Sequence, residues 1–146
     1  MKVFRFMSKA EFDDYMKGLN LFNEKIHEGN TTSVGFCFLD SEQYEPRNAI
    51  KFLSGIVSMD YCVEFEVIEP LKERYGQYAK PIQNYEQVFN LLKQLGQRQR
   101  FTTKEYCTTF YNKDTLKAIR YADDVVEKWR QSFELDENPE FDWKEV

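Results

Sequence analysis

Histidine is nearly missing from this chain. His27 is the only one, and it stands in the polar stretch HEGNTT, so no histidine-based zinc set can be written and a serine or cysteine hydrolase would lack a base on a fixed element. Glycine is also scarce. None of the six glycines falls in a GxGxxG or GxxxxGK pattern, which removes support from kinase, Walker-type and Rossmann readings. The three cysteines, Cys37, Cys62 and Cys107, are odd in number and far apart, with no ligand spacing. They read as buried, reduced thiols of a cytosolic protein, with no metal. Positive charge does not dominate: 20 basic residues face 25 acidic ones for a net charge of −5, which argues against broad phosphate-backbone contact. No apolar run reaches membrane-spanning length, and the first residues turn polar after Met7. The expectation is a soluble, cytoplasmic protein that does not engage a membrane.

Aromatic residues are plentiful, with 13 Phe and 9 Tyr, enough for one substantial core in a chain of 146 residues. A single domain over residues 1–146 is expected, with an acidic C-terminal tail from about 133 to 146 whose Phe141 and Trp143 would anchor it to the body. Val3 to Met7 reads as a strand, and Ser8 with Glu11 as the capping box of a helix bearing Phe12, Tyr15 and Met16 and ending at Gly18. Leu19 to Asn30 reads as loop. A doubly buried strand follows at SVGFCFLD, then a helix from Pro46 carrying Ile50, Phe52 and Leu53. Tyr61 to Ile68 alternates, with Val63 and Phe65 toward the core and Glu64 and Glu66 toward solvent. EPLKERYGQYAKPIQ is punctuated by Pro70, Gly76 and Pro81 and reads as loops. A helix is expected from Asn84 to Gly96, and a strand from Phe101 to Tyr111. Asp114 would then cap a helix through Leu116, Ile119, Ala122 and Val126 to Trp129. With about four strands and four helices, the class is α+β, a mixed, mostly antiparallel sheet with helices packed on it.

Four features fit a plain core poorly. Arg5 lies mid-strand among apolar residues, where a guanidinium is expensive unless an anion, an internal acid or solvent meets it. Glu105 is a lone carboxylate on a strand face shared with Cys107, Thr109 and Tyr111. It is either a site residue or a charge that protects a sheet edge. Thr31, Thr32 and Ser33 offer hydroxyls at the mouth of the second strand, or simply a turn. Tyr75 and Tyr78 offer rings for a planar heterocycle, or for the core. The basic QRQR run, with Arg98 and Arg100, would give a local nucleic-acid contact.

In this order the features resemble the ADP-ribosyltransferase family, particularly its small bacterial and phage-type members, over roughly Val3 to Arg120. VFRFMS places Arg5 where that family's first strand holds a dinucleotide by an arginine. NTTSVGFCF places Thr32 and Ser33 where its Ser/Thr motif opens the second core strand. KEYCTTFYNKDTLKAI places Glu105 where its glutamate begins a late strand. The resemblance implies a split sheet, NAD as substrate, Glu105 as the catalytic group, and Arg5, Thr32, Ser33 and Tyr75 or Tyr78 around the dinucleotide. It implies transfer of ADP-ribose to a protein or nucleic-acid acceptor, or to water. Many members carry Gln or Glu two residues before the glutamate, where this chain has Thr103, so the acceptor stays open. The charge balance and acidic tail leave an alternative, a non-enzymatic acidic protein that occupies a partner's basic surface.

Overall fold

The computed structural model describes residues 1–22, 35–54, 56–79, 100–134 and 141–146. At its centre is β1 (Lys2–Met7), whose side chains alternate between two cores: Phe4 and Phe6 enter one, Val3 and Met7 the other. A strand with apolar residues at both parities has to be covered on both faces. Here α2 (Pro46–Leu53) and α3 (Val125–Glu134) cover the first face through Ile50, Phe52, Leu53, Val125 and Trp129. The other face meets α1 (Lys9–Met16), through Phe12 and Tyr15, together with Tyr111.

Around β1 stand β3 (Phe36–Asp40), β4 (Tyr61–Val67), β5 (Lys72–Ala79), β6 (Arg100–Thr108), β8 (Leu116–Asp123) and β9 (Lys144–Glu145). They form a seven-stranded sheet in the order β5-β6-β3-β1-β4-β8-β9, every pair antiparallel. Two short strands, β2 (Leu21–Phe22) and β7 (Phe110–Tyr111), pair separately. The class is α+β and strand-rich, with an antiparallel sheet and few helices. Ser8 caps α1 by accepting the amide of Glu11 at 3.2 Å, Gly18 takes φ +79° just beyond that helix, and Pro46 opens α2. Tyr15 ties α1 to the sheet: its hydroxyl donates to the Leu116 carbonyl at 2.6 Å and accepts the Ala118 amide at 2.9 Å. No helix among the described residues is long and apolar enough to cross a membrane.

Several expectations are corrected. The residues from Leu116 to Asp123 form a strand. Asp114 caps nothing: Asn112 makes the turn, its side-chain oxygen accepting the amides of Asp114 and Thr115. β8 then pairs with β4 along Tyr61–Val67 and places Leu116, Ala118 and Ala122 in the core. Only at Asp124, at φ 54°, does the chain turn into a helix. The passage expected as loops contains β5, which pairs with β6 over eight residues, and Leu21–Phe22 pairs within an expected loop. Glu64 is not on a solvated face. It is buried and takes Arg120 through both carboxylate oxygens, at 3.1 and 3.2 Å. The described residues hold nine strands and three helices. The helix expected from Asn84 to Gly96 lies outside them.

Candidate functional site

The central strand is paired unequally with its two neighbours. β1 pairs with β4 along its whole length, Lys2 to Met7, but with β3 only at Val3↔Asp40 and Phe4↔Leu39. From Phe38 back to Phe36, β3 pairs instead with β6. The two strands therefore part at Arg5, and the Arg5 guanidinium spans the gap. Its Nη1 donates to the Cys37 carbonyl at 3.1 Å, while Nε and Nη2 form a fork on Glu11 at 2.7 and 2.9 Å.

Glu11 reaches this position because α1 begins directly after β1 and brings its first turn back over the strand. Its carboxylate also accepts the Tyr111 hydroxyl at 2.7 Å. Burial opposes the charge on both partners, yet each overcomes it. Glu11 holds Arg5 above its ordinary range, and Arg5, by charge and hydrogen bonds together with Tyr111, holds Glu11 below the usual carboxylate value. The guanidinium lies 5.1 Å from the Phe36 ring centre and 5.8 Å from that of Phe38. Among the described residues, three of its five N–H groups are engaged.

Glu105 comes to the same gap from β6. It is 1% exposed, and β6 is an inner strand between β5 and β3, so edge protection does not explain this carboxylate. From β5, the Tyr78 hydroxyl donates to Glu105 Oε1 and Arg74 Nε lies 3.6 Å from Oε2. Burial first, then the bond to Glu105, raises the Tyr78 hydroxyl above its ordinary value. Between Arg74 and Tyr78, Gly76 lets the carboxylate lie against the strand: a Cβ there would sit 2.8 Å from Glu105 Oε1. Thr103, on the same face of β6, has a buried hydroxyl with no hydrogen-bond partner among the described residues.

Two thiols complete the cluster. Cys37 and Cys107 are direct partners across β3 and β6, with Sγ atoms 3.2 Å apart. Their hydrogen bond holds a proton between the sulfurs, so Cys107 sits below the ordinary thiol value and Cys37 far above it. Arg5, Cys37, Tyr78 and Glu105, with Phe4 and Leu39, line one cavity of about 50 Å³. A wider groove of about 320 Å³ lies by Arg47, Arg120, Phe141 and Trp143. Its cations are already matched: Arg47 with Glu45 at 3.0 Å, and Arg120 with Glu64 while stacked 4.1 Å over Trp143. The smaller cavity has the richer chemistry. The aromatic pair in the tail does anchor it, with Phe141 edge-on to Phe6.

Of the residues proposed from sequence, the structure brings Arg5, Tyr78 and Glu105 to one cavity. Tyr75 is not with them. It occupies the opposite parity on β5, across from Lys104, and is 66% exposed. Thr31, Thr32, Ser33, His27 and Arg98 lie outside the described residues. Sequence reasoning missed Glu11, which reads only as a capping residue, and Gly76, which reads only as a turn former. Cys107 was within reach, since it shares a strand face with Glu105. Its pairing with Cys37 depends on a strand register that no local pattern encodes. Comparison of the chain with family models, with curated proteins and with solved structures returned no match.

Proposed function

We propose that the chain is an NAD-dependent ADP-ribosyltransferase, or an NAD glycohydrolase on the same scaffold, with Glu105 as the catalytic group. The observation that carries this reading is the meeting of Arg5 and Glu105, from β1 and β6, in a single cavity where β1 and β3 part. Cleavage breaks the bond between the nicotinamide nitrogen and the ribose anomeric carbon. Nicotinamide leaves with the electron pair, and an acceptor nucleophile or water takes the ribose. Positive charge grows on the sugar in that transition state, and a fixed carboxylate stabilises it more than the ground state. Glu105, buried on β6 with Arg74 beside its second oxygen, is such a group.

Two features shape the reading. The fork of Arg5 is taken by Glu11, so the arginine offers a pyrophosphate only its remaining N–H groups. The cavity, at about 50 Å³, has room for a few water molecules, against about 300–1,000 Å³ for a small-molecule pocket. Occupation by a dinucleotide therefore requires the Tyr78 ring to leave Glu105, so that a ribose hydroxyl replaces the tyrosine hydroxyl on the carboxylate.

The test is nicotinamide release from NAD by the full chain, alone and with cell extract as a source of acceptor, beside a direct measurement of NAD binding. Glu105→Gln should bind NAD and lose about a hundredfold or more in rate. Tyr78→Phe, which frees the carboxylate, should keep activity. No binding and no release by a folded wild type would end this reading.

A further inference from the structure

We propose that Cys37 and Cys107 form a peroxide-made disulfide that clasps β3 to β6 beside Glu105. The geometry is already close to that product. The two residues face each other directly in an antiparallel pair, where Cα atoms stand roughly 4.5–5.5 Å apart, within the 4.4–6.8 Å or so that disulfides span. The sulfurs are 3.2 Å apart, so small side-chain rotations suffice and the strands need not move.

The surroundings select the chemistry. Cys37, partly exposed, lines the cavity, while Cys107 is buried behind it. A space of about 50 Å³ admits hydrogen peroxide, which is little larger than water, but not a bulky tripeptide disulfide. A divalent cation is the competing occupant, because ligand atoms of Cys37, Glu105 and Cys107 lie within 4.8 Å of one another. It is disfavoured here. Arg74 lies 3.6 Å from the Glu105 carboxylate, Tyr78 donates to it, and the Arg5 charge bears on both sulfurs.

The reaction balances in two steps. The Cys37 sulfur attacks one peroxide oxygen, the O–O bond breaks, and a sulfenic acid and water form. The Cys107 sulfur then attacks the Cys37 sulfur, the S–O bond breaks, and the disulfide and a second water form. The two thiols together lose two electrons and two protons, and peroxide is reduced to two waters.

The consequence is local. Cys107 is two residues from Glu105 on the same strand face, and the Cys37 carbonyl holds Arg5 across the gap. The bond would therefore tie together the backbone segments that carry the two charged groups. It is read by mass, independently of nicotinamide chemistry.

The full chain is treated with hydrogen peroxide, quenched under denaturing conditions with an alkylating agent, and mapped by peptide mass spectrometry. The expected product is about 2 Da lighter, links the peptides containing Cys37 and Cys107, leaves Cys62 as the alkylated thiol, and is reversed by dithiothreitol. Cys107→Ser should stop at a sulfenic acid on Cys37 that dimedone traps, whereas wild type gives little adduct. Three alkylatable thiols after treatment, a linkage through Cys62, or direct passage to sulfinic acid in the wild type would each overturn the proposal. So would an unreactive Cys37 in folded Cys107→Ser.

Discussion

Removing the charge of Glu11 is the perturbation that most directly tests how Arg5 is held. The two side chains are 18% and 16% exposed, so the guanidinium of Glu11→Gln would stay mostly out of water with its charge unanswered. Breaking a buried pair from one side costs about 3–5 kcal/mol. The residual exposure favours the lower end, while Tyr111, whose hydroxyl would lose a charged acceptor, adds about 1 kcal/mol. An unfolding entropy of about 2.1 cal/mol/K per residue over 146 residues gives about 0.3 kcal/mol/K. The melting temperature should therefore fall by roughly 10–16 °C, followed by circular dichroism. Replacing both partners, Arg5→Met with Glu11→Leu, removes the uncompensated charge and should recover most of the loss. A fall of less than about 3 °C in Glu11→Gln, or a double variant as unstable as the sum of the single ones, would refute the account. The same variant reports on anion capture: with the fork released, inorganic pyrophosphate should stabilise Glu11→Gln more than the wild type.

Two further predictions follow from the same contacts. Gly76→Ala places a methyl 2.8 Å from Glu105 Oε1 and 3.2 Å from Tyr78 Cε2. The carboxylate must turn away, at about 1–3 kcal/mol, so thermal stability and any nicotinamide release should fall together; a variant native in both would show that the contact yields freely. The second concerns acid. Because the folded value of Glu11 lies below its ordinary 4.5, its share of stability is complete above that pH and is lost as pH falls through the depressed value. Urea midpoints should decline on acidification below about pH 5 with a smaller slope in Glu11→Gln, and equal slopes would exclude Glu11 as a source of the acid sensitivity.

Much of the fold could be read locally. The β1 strand, the Ser8 cap, the Gly18 stop, the Pro46 start and the alternation of β4 are each set by a few neighbouring residues, and the structure follows them. The misreadings share one cause, a residue whose role is fixed by a distant partner. Leu116, Ile119 and Ala122 fit a helical stripe as well as a strand, and pairing with β4 decides between them. Gly76 looks like punctuation, yet it lies inside β5 because the carboxylate of Glu105 occupies the space a side chain would fill. Glu64 looks solvated by alternation alone, yet it is buried, paired with Arg120 opposite it on β8. In the site, Arg5 and Glu105 stood out because each is a charge inside an apolar or neutral strand. Their surroundings, Glu11, Tyr78 and the Cys37–Cys107 pair, depended on register.

The parting of β1 and β3 is what makes these residues one site. By strand parity Arg5 belongs with Val3 and Met7, on the face of α1, whereas Glu105 belongs with Cys37 and Cys107, on the face of α2. In a fully paired sheet the backbone would stand between them. Because β3 leaves β1 after Phe4, the guanidinium can be anchored by Glu11 on one face and still line the cavity on the other. The gap leaves the Cys37 carbonyl without a β1 amide, and Arg5 supplies the replacement donor. The arginine thus closes the sheet's own defect and brings its charge to the Glu105 cavity with the same side chain. Arg5→Lys, with one compact ammonium in place of a planar fork, cannot meet Glu11 twice and reach Cys37 as well.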